Sequence, residues 1–219
     1  MRPLVERYIA SLPALNRTES AKDVGIRPPA GVVEREVRKG IEPKSQVSIV
    51  FTGTFENDEV HRITLRAMAE MLSGNLHRTL REELGGTYGV SVEPRFSNGP
   101  TETYRITISF ACDPARTESL TKTAFDVIDE FRRDGPGEEQ VNDSRQALMR
   151  DVETNSQRNG FLLSRLVYSY QYGENVDDVF NIRPSAERLT VSLIRDAART
   201  YLDPKRYVEV TLLPEVRKP

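Results

Sequence analysis

The sequence predicts an α+β fold: a two-layer sandwich, with one mostly antiparallel sheet carrying its helices on one face. Three observations predict it. Short segments alternate apolar and polar residues at strand period, and they follow one another by hairpin or across long helices. The helical segments are amphipathic, each with one apolar stripe. Helices of that kind need a single surface to cover, and one face of a sheet supplies it.

The elements follow in chain order. Leu4, Val5, Tyr8, Ile9 and Leu12 have helical spacing, and the short helix they predict looks like the tail of a preceding domain. Residues 13–31, with Asn16, Gly25 and Pro28-Pro29, read as a linker. The domain boundary is therefore placed after residue 30, with residues 1–30 as tail and linker and 31–219 as the α+β domain. Val33 to Arg38 is polar and part-alternating, which suits an edge strand, and Val47 to Phe51 is a cleaner strand with Val47, Ile49 and Phe51 on one face. A long helix is predicted from about Asp58 to Glu83, ended by Gly85-Gly86, because glycine takes the left-handed cap without steric cost.

A hairpin comes next: Tyr88, Val90 and Val92 alternate, Asn98-Gly99-Pro100 turns the chain, and Tyr104, Ile106, Ile108 and Phe110 alternate back. Asp113-Pro114 caps a helix that buries Leu120, Ala124, Val127, Ile128 and Phe131. Glu138 to about Tyr172 is helical in pattern, with a break expected at Asn159-Gly160. Thr190 caps a last helix, and Tyr207 to Leu212 is the last strand.

Bulk properties narrow the function classes. The 219 residues suffice for a substantial core, and 37% apolar with 29% charged residues is ordinary for a globular chain. A net charge of −2 gives no basic face for nucleic acid or an anionic membrane. No run is long and apolar enough to span a membrane. Arg2 to Arg7 lacks the apolar core of a signal peptide, so the expectation is a cytoplasmic chain or a segment of a longer precursor. The single cysteine, Cys112, follows Phe110-Ala111 without a nearby histidine and reads as a buried thiol.

The two histidines, His61 and His77, fall on the same predicted helix, about 160° apart around its axis, and cannot share a metal. Metal pairs on helices use i, i+3 or i, i+4 spacing, and neither His-x-x-Glu-His nor His-Glu-x-x-His occurs. No nucleophile elbow or phosphate loop is present. One constellation remains. Arg81 closes the long helix, Gly85-Gly86 turns the chain, and Tyr88 opens the next strand, so the join should bring both side chains to one rim of the sheet. A guanidinium fork and a phenol donor suit the grip of a carbonyl or carboxylate. The competing reading has Arg81 bonding the last helical carbonyls and Tyr88 packed in the core.

The segment Leu80-Arg81-Glu82-Glu83-Leu84-Gly85-Gly86-Thr87-Tyr88-Gly89-Val90 resembles the C-terminal-half signature of the pitrilysin/insulinase family, the zinc peptidases with an inverted zinc motif. Gly40 to Val47 leading into Phe51-Thr52-Gly53, Phe110 to Arg116, Asn159-Gly160-Phe161 and Tyr207 to Glu215 are similar to it as well, most of all to the long bacterial zinc proteases. The resemblance implies one half of a two-half chamber. The zinc belongs to the N-terminal half, and this C-terminal half supplies wall, peptide-binding surface and an Arg–Tyr pair, matched here by Arg81 and Tyr88. It implies no cofactor or metal in this chain, a zinc-binding N-terminal half or subunit as partner, a peptide as substrate, and inactivity of the chain alone. The zinc half is absent from the sequence, so either the chain is a segment of a longer enzyme or a separate subunit supplies the metal. A non-catalytic module is the alternative, as in processing-peptidase α subunits or respiratory-complex core proteins. The long bacterial members imply the cell envelope or periplasm, and the cytoplasm stays open.

Overall fold

The computed structural model describes residues 1–13, 18–20, 22–177 and 183–215; residues 14–17 and 21 of the expected linker, Asn16 among them, lie outside the described ones. A short helix α1 (Arg2–Tyr8) comes first and buries none of its residues. Strands β1 (Val32–Arg38) and β2 (Ser45–Thr54) lead to helix α2 (Glu59–His77). A π-helical segment, Arg78–Glu83, extends α2. The hairpin is β3 (Thr87–Ser97) and β4 (Thr103–Cys112). After it come α3 (Thr117–Asp134), α4 (Glu138–Asn155), α5 (Asn159–Tyr172), α6 (Arg183–Glu187), α7 (Val191–Tyr201) and strand β5 (Tyr207–Leu213).

The strands form one sheet in the order β1-β5-β2-β4-β3. β5, β2, β4 and β3 are antiparallel neighbours, and β1 alone runs parallel to its neighbour β5. Alternation fixes which side of the central strands is dry. Val47, Ile49 and Phe51 of β2 and Tyr104, Ile106, Ile108 and Phe110 of β4 are at most 6% exposed. They share one core with Met68 and Leu72 of α2 and with Val127, Ile128 and Phe131 of α3. The other face carries Ser48, Val50, Thr107 and Ser109 and is partly exposed, as a two-layer sandwich requires.

Three boundaries differ from the sequence expectation. The long helix does not stay α-helical to Glu83: the Leu84 N–H reaches back to the carbonyl of Thr79, an i→i−5 bond of 3.2 Å. Residue spacing reads side chains, and over one turn it does not distinguish i→i−4 from i→i−5 bonding. The break in the Glu138–Tyr172 segment falls at Ser156–Arg158, so Asn159-Gly160 opens α5 instead of interrupting a helix. Asp113 caps a 3-10 turn (Pro114–Arg116) that runs into α3, its carboxylate accepting from Ala115 N at 2.8 Å. Thr190 caps α7 through Leu193 N at 3.1 Å, as its position in the sequence implied. Cys112 is buried, with Ser45 Oγ 3.2 Å from its sulfur.

Candidate functional site

The join between α2 and β3 is built from backbone requirements. Gly85 has φ +55°, the left-handed conformation that follows a helix end, and its N–H bonds the carbonyl of Arg81 at 2.9 Å. Gly86 N–H bonds the carbonyl of Leu80, also at 2.9 Å. A Cβ on Gly86 would stand 2.4 Å from Cδ2 of Leu120, which is buried in the core, so the second glycine is needed for close approach. Arg116 closes the join from outside, donating to the carbonyls of Leu84 at 3.1 Å and Gly85 at 3.4 Å.

β3 then starts with a bulge. Thr87 pairs with Cys112 and Val90 with Phe110, so Tyr88 and Gly89 face a single residue of β4. The Thr87 hydroxyl fixes this bulge, donating to Ala111 O at 2.6 Å and lying 3.0 Å from Gly89 O. A bulge re-aims the side chain it carries. Tyr88 accordingly leaves the alternation of β3 and stands 88% exposed at the outer edge of the sheet.

Arg81 is exposed on the π-helical segment. Its Nη1 lies 3.0 Å from His77 Nε2. A guanidinium only donates, so Nε2 accepts and the ring proton sits on Nδ1, which faces Glu82 Oε1 at 3.5 Å. Among the described residues no hydrogen bond joins Arg81 to Tyr88; both are exposed, and Arg81 meets His77 instead. The task of covering the last helical carbonyls falls to Arg116. Sequence reasoning missed Thr87, Arg116 and the role of His77. Only the last left a local signal, the i, i+4 spacing of His77 and Arg81.

Glu56, Asp58 and His61 are the one group among the described residues whose ligand atoms lie within 4.8 Å of one another. They do not fit a peptidase zinc. Asp58 Oδ1 already accepts from His61 N and from His61 Nδ1, both at 2.8 Å, as the N-cap of α2. Burial pushes the Asp58 carboxyl up. The bonds from the His61 backbone and ring, with the nearby charges of His61 and Arg62, together outweigh it and hold the carboxyl below its usual range. The set also lies at the end of α2 away from Arg81, roughly 28 Å along the helix.

Known proteins share this architecture. The model of the peptidase M16 inactive domain matches residues 1–148. The zinc protease PQQL-like protein of Arabidopsis thaliana is 24% identical over 240 residues, covering 97% of this chain and 25% of that protein. The periplasmic protease PqqL of Escherichia coli superposes with a TM-score of 0.80 at 23% identity, covering 98% of this chain and 24% of that one. A mutant of the ferredoxin protease FusC, in complex with Arabidopsis ferredoxin, gives 0.83 at 19% identity, with 98% and 23% covered. The chain thus spans about a quarter of the length of these relatives. An edge-strand tyrosine beyond a double-glycine turn, on a zinc-protease fold without the family's zinc motif, agrees with the matched description: the chain belongs to the peptidase M16 inactive-domain family.

Proposed function

We propose that this domain forms the substrate-binding wall of a zinc endopeptidase, with Arg81 and Tyr88 acting on a peptide cleaved at a metal held by an N-terminal half. The observation that carries the reading is the direction of Tyr88. A phenol 88% exposed on an edge strand, at the tip of a bulge fixed by Thr87, contributes little to the core and is open to a ligand. Arg116 caps the helix end, which leaves the Arg81 guanidinium donors beyond the His77 bond turned to solvent.

In this reading Tyr88 donates a hydrogen bond to the scissile carbonyl oxygen, or its neighbour, as negative charge develops on it. Arg81 grips a backbone carbonyl of the same peptide. A zinc held by the other half would polarise the carbonyl, and Tyr88 would add a second donor. The partners are that half and the peptide, and residues 1–30 belong to the connection with a preceding domain.

Loss of one such donor costs about 2.7–4 kcal/mol, roughly a hundred- to thousandfold in rate. Tyr88→Phe in the complete, zinc-loaded peptidase should therefore lower kcat by about that factor, with unchanged thermal unfolding. Arg81→Lys should lower kcat/KM, because an ammonium does not reproduce the fork. Undiminished turnover of the Tyr88→Phe enzyme would end the proposed role.

A further inference from the structure

Beyond Arg81 the surface continues as a groove of about 480 Å3, with Arg66, Glu70, Ser73 and His77 of α2 on its wall and Val92 and Pro94 of β3 on its floor. From His77 to Arg66 the helix rises roughly 16 Å, the reach of about five residues of extended chain. At the far end stand three arginines of different standing. Arg62 is 7% exposed and neutralised: it meets Glu174 Oε1 at 2.8 Å, donates to Asn57 O at 3.0 Å, and lies 5.0 Å from the centre of the Tyr168 ring. Arg66 is an exposed residue whose guanidinium is partly covered where it lies over Phe96 at 5.1 Å; Arg165 of α5 lies over Phe161 at 5.4 Å.

Among the described residues neither Arg66 nor Arg165 has a carboxylate in ion-pair range. Loss of hydration, then the neighbouring cations Arg165 and Arg62, lower the Arg66 pKa against an opposing effect of Tyr168. Two guanidiniums anchored on aromatic rings, with no carboxylate in ion-pair range among the described residues, form a ready acceptor for an anion. Arg165 also lines a neighbouring cleft that carries Asp58, Glu59, Glu102 and Glu174. That acidic rim repels a polyanion such as nucleic acid or an anionic membrane, and it tolerates one carboxylate placed on the arginines.

We propose that Arg66, backed by Arg165, binds a carboxylate of an extended peptide lying in the groove between α2 and β3, about five residues beyond the stretch of groove at His77, the neighbour of Arg81. The inference rests on the peptide-binding reading above and deepens it, by giving the substrate an acidic preference at a distance from the cleaved bond.

The test is fluorescence anisotropy of the 219-residue chain with labelled decapeptides at low salt. One is blocked at both ends with a central Glu-Glu, one is blocked with Gln-Gln, and one carries Gln-Gln with a free C-terminal carboxylate. The Glu-Glu peptide should bind roughly tenfold more tightly than the blocked Gln-Gln peptide, and the advantage should shrink in high salt. Arg66→Gln combined with Arg165→Gln should abolish the preference, while Lys122→Gln, an equal loss of charge on α3, should keep it. A preference for the free-ended peptide that disappears in the same double variant assigns the carboxylate to the chain end and supports the same site. Equal binding of the two blocked peptides, a preference that survives the double variant, or an equal loss in Lys122→Gln overturns the proposal. Failure to bind any of the peptides overturns it together with the peptide-binding reading, whereas binding without acidic preference overturns it alone.

Discussion

The Thr87 hydroxyl and the missing side chain of Gly86 together set where Tyr88 points. Gly86→Ala would drive a methyl against Leu120, 2.9 Å from its Cδ1 and 2.4 Å from its Cδ2, in a core position with little room to yield. Such overpacking costs about 1–3 kcal/mol. Gly85→Ala meets nothing within 4 Å, and its penalty is conformational, from φ +55°; it should cost about 1–2 kcal/mol. Urea unfolding of the two variants checks both values, and a Gly86→Ala chain as stable as the parent would contradict the close-approach role. At this scale the Gly85-Gly86 turn that separates Arg81 from Tyr88 was legible, because a glycine pair after a helical pattern is a turn signal in the sequence. Thr87 and Arg116 were not, because their bonds reach across 24 and 32 residues, and only the folded sheet brings those partners together.

Among the elements, β5 shows how far a strand pattern can be read. Tyr207 to Leu212 was legible as a strand, and its register reverses the face its valines suggest. Phe51 pairs with Tyr207 and Ile49 with Glu209, so Tyr207, Glu209 and Thr211 share the helix side. Val208 and Val210 therefore lie on the open face beside Val50 and Ser48. In β5, where both faces are mixed, alternation gives two faces and the pairing with β2 says which is dry.

The consequence is a carboxylate under partial cover. Burial raises the Glu209 pKa from its ordinary 4.5, with Glu34 adding to it against the Thr211 hydrogen bond. A carboxyl with a raised folded-state pKa is favourable to the fold when protonated. Its contribution is full below 4.5 and is lost as pH rises through the folded value. Glu209→Gln keeps an acceptor for the Thr211 hydroxyl and removes the charge. It should raise the melting temperature at pH 7 and leave it nearly unchanged at pH 4. A lower melting temperature at pH 7 would mean that the Glu209 charge stabilises the fold. The π-helical end of α2 was hidden for a related reason: Leu76 and Leu80 are both fully buried, which the side-chain spacing of an ordinary helix also allows.

On the scale of the whole molecule, the fold class followed from patterning, because amphipathic helices and alternating strands admit few layer arrangements. The parallel pairing of β1 with β5 did not follow, since nothing local records which edge a polar strand such as β1 joins. The family was legible through the Leu80–Val90 segment, and the matched family model agrees with it. The proposed function divides the labour: a peptide-facing rim on this domain, and zinc held by an N-terminal half. That division is the central claim. Zinc analysis of the chelator-stripped, zinc-reloaded chain, run with a peptide hydrolysis assay, tests it most directly. The account predicts no tightly held zinc and no chelator-sensitive cleavage, because His61 and His77 belong to separate networks at opposite ends of α2, and a peptidase zinc needs three ligands and an open position on one frame. Stoichiometric zinc retained through dialysis, together with peptide hydrolysis that a chelator abolishes, would contradict it.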